Sequence, residues 1–171
     1  MVDLKDFVRN IPDYPKPGIL FRDITPLLGD GQALAAAIDA MAALFAGEKV
    51  DVIAAAEARG FIFGTPLALK LGVGFVPIRK PGKLPYKAHS HTYDLEYGSD
   101  ELQIHVDGVQ PGQRVLLVDD LLATGGTMEA CCRLFEKAGA EVVGCAFLIH
   151  LLDLPGEQRL QPHRCRSVLS Y

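Results

Sequence analysis

At 171 residues, 49% hydrophobic and 22% charged, the chain has the composition of a folded domain rather than a disordered segment, and length for one domain with its own core. A net charge of −4 and a pI near 5.7 argue against a broad nucleic-acid footprint. No apolar run reaches the roughly 18 residues of a membrane span, MVDLKDFVRN is too polar for a signal peptide, and Cys131, Cys132, Cys145 and Cys165 lack CxxC spacing, so reduced thiols of a cytoplasmic protein are expected.

Taken in chain order, PGILFRD at 17–23 reads as a turn and a short strand. Asp30 caps a predicted helix whose apolar face is Leu34, Ile38, Met41 and Phe45, with Gly47 closing it. The run at 50–56 suits a buried strand, 61–71 a helix ended by Gly72, and 73–78 another strand. Residues 79–91, RKPGKLPYKAHSH, have no period and read as a long exposed basic loop. Segments 92–97 and 101–106 alternate around Gly98-Ser99-Asp100, which predicts a hairpin. A buried strand follows at 115–118. Met128, Cys131, Cys132 and Phe135 mark a helix face stopping near Gly139. Residues 141–152 form a long apolar strand, and the tail has room for one more short strand. Strands alternating with helices predict an α/β fold, a mostly parallel sheet flanked by helices. Ligands of such sheets sit at the carboxyl ends of strands, here the loops after 56, 78 and 118.

The last of these loops carries the densest chemistry, 115-VLLVDDLLATGGT-127. Ala123, Thr124, Gly125, Gly126 and Thr127 lie between a strand and a helix start, where free N–H groups and the helix dipole favour an anion. The glycines let a phosphate approach the backbone, and no Gly-Lys-Ser/Thr follows to make a Walker loop. Asp119 and Asp120 would repel that phosphate, so they suit another part of the ligand. They can accept two sugar hydroxyls or hold a hydrated Mg2+. Phosphate on one side and sugar hydroxyls on the other describe a ribose 5-phosphate.

This run resembles the phosphoribosyl-pyrophosphate motif of the type I phosphoribosyltransferase family. The stretches 17-PGILFRDITPLL-28, 57-EARGFIFG-64, 79-RKPGKLP-85 and 93-YDLEYG-98 resemble its adenine-specific members, so the likeness covers nearly the whole chain. It implies one domain over 1–171, with a small N-terminal hood at 1–28 and a flexible lid loop and hairpin at 79–106. It also implies purine salvage: ribose 5-phosphate passes from phosphoribosyl pyrophosphate to N9 of adenine, giving AMP and pyrophosphate. By the same resemblance, Mg2+ arrives on the substrate pyrophosphate and water rather than on protein ligands, and the chain forms a homodimer. Asp119 and Asp120 would hold the ribose, and residues 123–127 the 5′-phosphate. Ala58, Arg59, Gly60, Arg79, Lys80 and Lys83 would meet the pyrophosphate, and Glu96 would be the acid/base residue. Leu20, Phe21 and Arg22 would bind adenine. There the Leu20 carbonyl accepts from the N6 amine, the Arg22 N–H donates to N1, and Phe21 stacks. A donor facing N1 disfavours hypoxanthine and guanine, whose N1 carries a proton. The acidic balance speaks against a regulator that keeps the sugar-phosphate site and binds RNA or DNA. His150, where the family tends to carry an acid, reads as a satisfied or exposed structural histidine.

Overall fold

The computed structural model describes residues 2–94 and 98–171. The chain divides into two compact units, Met1–Ala40 and Met41–Tyr171. The first contains a 3-10 turn at Leu4–Phe7, strands β1 (Arg9–Pro12) and β2 (Leu20–Asp23), helix α1 (Thr25–Gly29) and the start of α2 (Gly31–Leu44). Strands β1 and β2 form a two-stranded antiparallel ribbon with Ile11 opposite Phe21. The Asp23 carboxylate accepts the Thr25 N–H at 2.9 Å, which fixes the entry to α1. Asp30 caps α2 as expected, accepting the N–H groups of Gln32 and Ala33 at 2.9 and 2.8 Å. The buried face of α2 is Ala33, Ala37, Ile38 and Met41, continued by Phe45. Leu34 is only half-buried, because small alanines take the closest-packed positions.

In the second unit the order is β3 (Val52–Ala56), α3 (Arg59–Leu71), β4 (Gly74–Ile78), β5 (Ala88–Asp94), β6 (Ser99–His105), β7 (Arg114–Leu122), α4 (Gly126–Lys137), β8 (Glu141–His150), α5 (Gly156–Arg159) and β9 (Cys165–Ser170). Five strands make a sheet in the order β4-β3-β7-β8-β9, every pairing parallel. All five residues of β3 are buried, as a strand covered on both faces requires. Met128, Cys131, Cys132 and Phe135 of α4 pack into a core with Val115, Leu117 and Phe147. Gly72 closes α3 in the left-handed conformation, φ 68°.

Several boundaries differ from the sequence reading. Strand β5 begins at Ala88, so the loop after β4 is shorter than 79–91. Its residues 89–91 are polar, and their strand conformation comes from pairing with β6, His89 opposite Ile104 and His91 opposite Leu102. Such tertiary pairing leaves little trace in local pattern. Strand β7 runs on to Leu122, because β8 continues to pair with it through Leu122 opposite His150. Both aspartates therefore sit within the strand rather than beyond its end. Helix α5 is one turn, GEQR, too short to show a period. Helix α3 also starts two residues earlier than predicted, at Arg59.

Candidate functional site

A cavity of about 220 Å3 lies at the carboxyl end of β7, lined by Arg59, Asp119, Asp120 and residues 121–128. That is below the roughly 300–1,000 Å3 of a complete small-molecule site, so it suits one part of a ligand. A larger cavity of about 370 Å3, between Arg114, Glu141, Glu48 and Arg164, lies at the amino-terminal ends of β7 and β8. Its groups are absorbed by ion pairs, Arg114 with Asp51 at 2.6 Å and Arg164 with Glu48 at 2.7 Å. The smaller cavity is the chemical one.

Its floor is the turn from β7 into α4. Gly125 has φ 80°, a conformation open to glycine. A Cβ there would stand 2.9 Å from the Gly156 carbonyl oxygen, and one on Gly156 would stand 2.3 Å from the Ala123 carbonyl oxygen. The loop and α5 thus touch backbone to backbone. Arg159 of α5 bonds Glu129 of α4 through Nε at 2.6 Å. Residues 124–127 leave their N–H groups at the start of α4, where the dipole favours an anion.

On the wall, Asp120 is buried and its Oδ2 lies 2.8 Å from Nε of Arg59, the first residue of α3. The Asp119 carboxylate accepts the Asp120 N–H at 2.9 Å. Burial, and next the charge of Asp120, push the Asp119 carboxyl up to about 8, with Arg59 pulling the other way. Gly60 brings α3 close: a Cβ there would lie 3.1 Å from Asp119 Oδ1 and 3.2 Å from the Val118 carbonyl. The peptide bond between Glu57 and Ala58 is cis.

The third loop adds cations held by acids. Arg79 Nε and the Lys80 N–H both donate to Glu57 Oε1, at 3.0 and 2.6 Å, and the Lys80 hydrogen bond is the main cause of the lowered Glu57 carboxyl pKa. The Lys80 ammonium pairs with Asp100, which also accepts the Tyr93 hydroxyl at 3.1 Å. Lys83 is exposed, next to Gly82 at φ 74°. So Arg59, Arg79 and Lys80 face Asp120, Glu57 and Asp100 respectively. Ala58, Arg59, Gly60, Asp119, Asp120 and 123–127 come together at the ends of β3 and β7. Sequence reasoning missed Glu57, Tyr93, Asp100, Gly156 and Arg159. Glu57 and Tyr93 lie in the stretches 57–64 and 93–98 that carry the resemblance, where neither is assigned a role.

Leu20, Phe21 and Arg22 lie in β2 of the first unit. Tyr14 packs edge-on against Phe21, centroids 5.2 Å apart, and the Arg22 guanidinium bonds the Asn10 side chain. Glu96 lies outside the described residues. His150 is buried rather than exposed, and its Nε2 has no hydrogen-bond partner among the described residues.

The phosphoribosyl transferase domain, as a sequence family, matches residues 26–169. The chain belongs to the phosphoribosyl transferase family. Among members of this family, the adenine phosphoribosyltransferase of Rhodopirellula baltica is 70% identical over 170 residues, 99% of this chain and 82% of the relative. The crystal structure of adenine phosphoribosyltransferase from Thermoanaerobacter pseudethanolicus superposes with a TM-score of 0.94 at 52% identity, covering 98% of both chains. That of the Saccharomyces cerevisiae enzyme, complexed with an imino-altritol bisphosphate and adenine, gives 0.91 at 39% identity, covering 97% of this chain and 96% of that one. The five-stranded parallel sheet with flanking helices is the fold of the type I phosphoribosyltransferases.

Proposed function

We infer that the protein is an adenine phosphoribosyltransferase of purine salvage, transferring the ribose 5-phosphate of phosphoribosyl pyrophosphate to N9 of adenine and releasing pyrophosphate and AMP. The observation that carries this reading is the junction of two unlike subsites on β7. Two adjacent carboxylates face the cavity, and an anion-accepting glycine turn begins three residues after them. The 70% identity to an adenine phosphoribosyltransferase supports adenine as the base.

In this reading the backbone N–H groups of 123–127 and the hydroxyls of Thr124 and Thr127 hold the 5′-phosphate. The dipole adds about 0.3–1 kcal/mol, while hydrogen bonds to a charged group are worth about 1.5–3 kcal/mol each, so the N–H groups dominate. Asp119 and Asp120 accept the ribose hydroxyls. Arg59 offers a planar fork to the pyrophosphate, beside the N–H groups of Ala58 and Gly60. Arg79, Lys80 and Lys83 neutralise the leaving group as the lid loop closes and excludes water from the ribosyl cation.

Residues two apart on a strand turn their backbone groups to the same edge. A Leu20 carbonyl and an Arg22 N–H are therefore compatible with the N6 amine and N1 of one adenine, with Phe21 against the ring. Glu96 receives the N9 proton. Among the described residues, no three His, Cys, Asp or Glu side chains converge on a metal site. By the resemblance alone, Mg2+ would be ligated by substrate phosphates and water and would offset charge on the leaving pyrophosphate. A cytoplasmic homodimer completes the reading on resemblance alone; sedimentation reads the oligomeric state. No helix among the described residues is long and apolar enough to cross a membrane.

The test is pyrophosphate release from phosphoribosyl pyrophosphate and Mg2+ with single purine bases. Adenine should react far faster than hypoxanthine or guanine. Equal rates for hypoxanthine would remove the base assignment, and no release with any base would remove the reaction.

A further inference from the structure

We propose that Arg159 is an electrostatic positioning residue for the 5′-phosphate, its guanidinium offsetting the acids that surround the phosphate loop. The inference rests on the assignment of residues 123–127 to that phosphate. From Asp119 to Glu129 the chain carries three carboxylates and no lysine or arginine. A phosphate dianion approaching this loop meets favourable N–H groups amid unfavourable charge. Arg59 pairs with Asp120 on the cavity wall, and α5 supplies a second cation, paired with Glu129 beside the loop.

The position of Arg159 is defined closely. Its Nη1, Cζ and Nη2 lie 3.2, 3.4 and 3.6 Å from where a Cβ on Gly126 would stand. Three near-equal distances put the guanidinium flat across Gly126, the first residue of α4. Its Nε bonds Glu129 Oε2 at 2.6 Å, which neutralises the acid in the first turn of that helix. On one side Gly156 abuts the loop backbone, and on the other Leu160 is buried, so α5 is anchored at both ends of its single turn. The side chain remains 42% exposed and open to an incoming ligand.

One feature of this placement points to a ligand. A cation at a helix N-terminus opposes the helix dipole. Glu129 compensates it; a bound phosphate would satisfy both the cation and the helix N–H groups. Arg159 then acts through charge and through its hold on Gly126, and the chemistry at C1′ is left to other residues.

The experiment combines steady-state kinetics with calorimetry of ribose 5-phosphate on Arg159→Gln, Arg159→Lys, Glu129→Gln and the double variant Glu129→Gln/Arg159→Gln. Arg159→Gln should raise the KM for phosphoribosyl pyrophosphate about tenfold and weaken ribose 5-phosphate to the same degree. Its kcat should stay within about twofold and its KM for adenine should not change. Arg159→Lys should restore most of the affinity. The double variant should recover to within about threefold of wild type, since the uncompensated acid is gone; a purely structural loss would instead deepen. Glu129→Gln alone, which keeps Arg159, should lower the KM for phosphoribosyl pyrophosphate or leave it, and it reads the proposal even if Arg159→Gln does not fold. Unchanged KM in Arg159→Gln, an equal rise for adenine, a fall confined to kcat, no recovery in the double variant, or a tenfold rise in Glu129→Gln would each overturn it. Wild-type protein that turned over no purine, yet bound ribose 5-phosphate with this dependence on Arg159, would remove the assigned reaction and leave this inference standing.

Discussion

Nε of Arg59 stands 2.8 Å from Oδ2 of Asp120, so the cation proposed for the pyrophosphate and the carboxylate proposed for the ribose hold each other. The pair joins the first turn of α3 to β7. It is lopsided: the arginine side chain is 54% exposed and the aspartate 9%. Arg59 can swing toward a ligand while Asp120 stays fixed.

Asp120→Ala should therefore leave the fold intact and weaken phosphoribosyl pyrophosphate binding. Two hydrogen bonds from sugar hydroxyls to a carboxylate, at about 1.5 kcal/mol each, correspond to roughly a hundredfold in affinity. Calorimetry reads the affinity and a thermal melt reads the fold. Unaltered binding would remove Asp120 from the site.

Asp100→Asn tests whether an acid in the segment proposed as a lid competes with substrate for Lys80. Asp100 holds the Lys80 ammonium, and both side chains are partly exposed, so the pair is worth about 0–1 kcal/mol. If pyrophosphate must displace Asp100, freeing Lys80 should lower the KM for phosphoribosyl pyrophosphate by up to about fivefold. A rise in KM would mean that Asp100 orients Lys80 for the ligand instead.

Much of this arrangement was legible before the fold was known. Sheet strands and their crossover helices announced themselves because buried strands are apolar throughout and helix faces repeat, as in Met128, Cys131, Cys132 and Phe135. The twin aspartates and glycine turn stood out because no turn needs all of them. What the sequence did not disclose depends on partners distant in the chain. Asp100 lies 20 residues from Lys80, Arg159 lies 30 from Glu129, and Gly156 matters only because Ala123 lies against it. Polar residues 89–91 form a strand because β6 pairs with them, and β7 extends past Val118 because β8 does.

Gly156→Ala should disturb the phosphate loop from outside it. The new methyl would meet the Ala123 carbonyl at 2.3 Å and Leu122 Cδ1 at 2.7 Å, and such overpacking costs about 1–3 kcal/mol. A lowered melting temperature together with a raised KM for phosphoribosyl pyrophosphate is expected, with the adenine KM near wild type. Wild-type behaviour in both would show that α5 yields freely and does not buttress the loop.

Stability should also depend on pH through Asp119. Its carboxyl is raised from 3.8 to about 8 in the folded chain, so between those values the native state keeps a proton that the unfolded chain has lost. Stability then falls as pH rises across that window and levels off above it. The drop in melting temperature from pH 5 to pH 8 should be smaller in Asp119→Asn than in wild type. An equal drop in both would place the proton elsewhere.

The most direct measurement is a crystal structure with AMP bound. The 5′-phosphate should lie against the backbone of residues 123–127, with the ribose hydroxyls on Asp119 and Asp120. A nucleotide lodged at another edge of the sheet, leaving those carboxylates untouched, would contradict the assignment of this site.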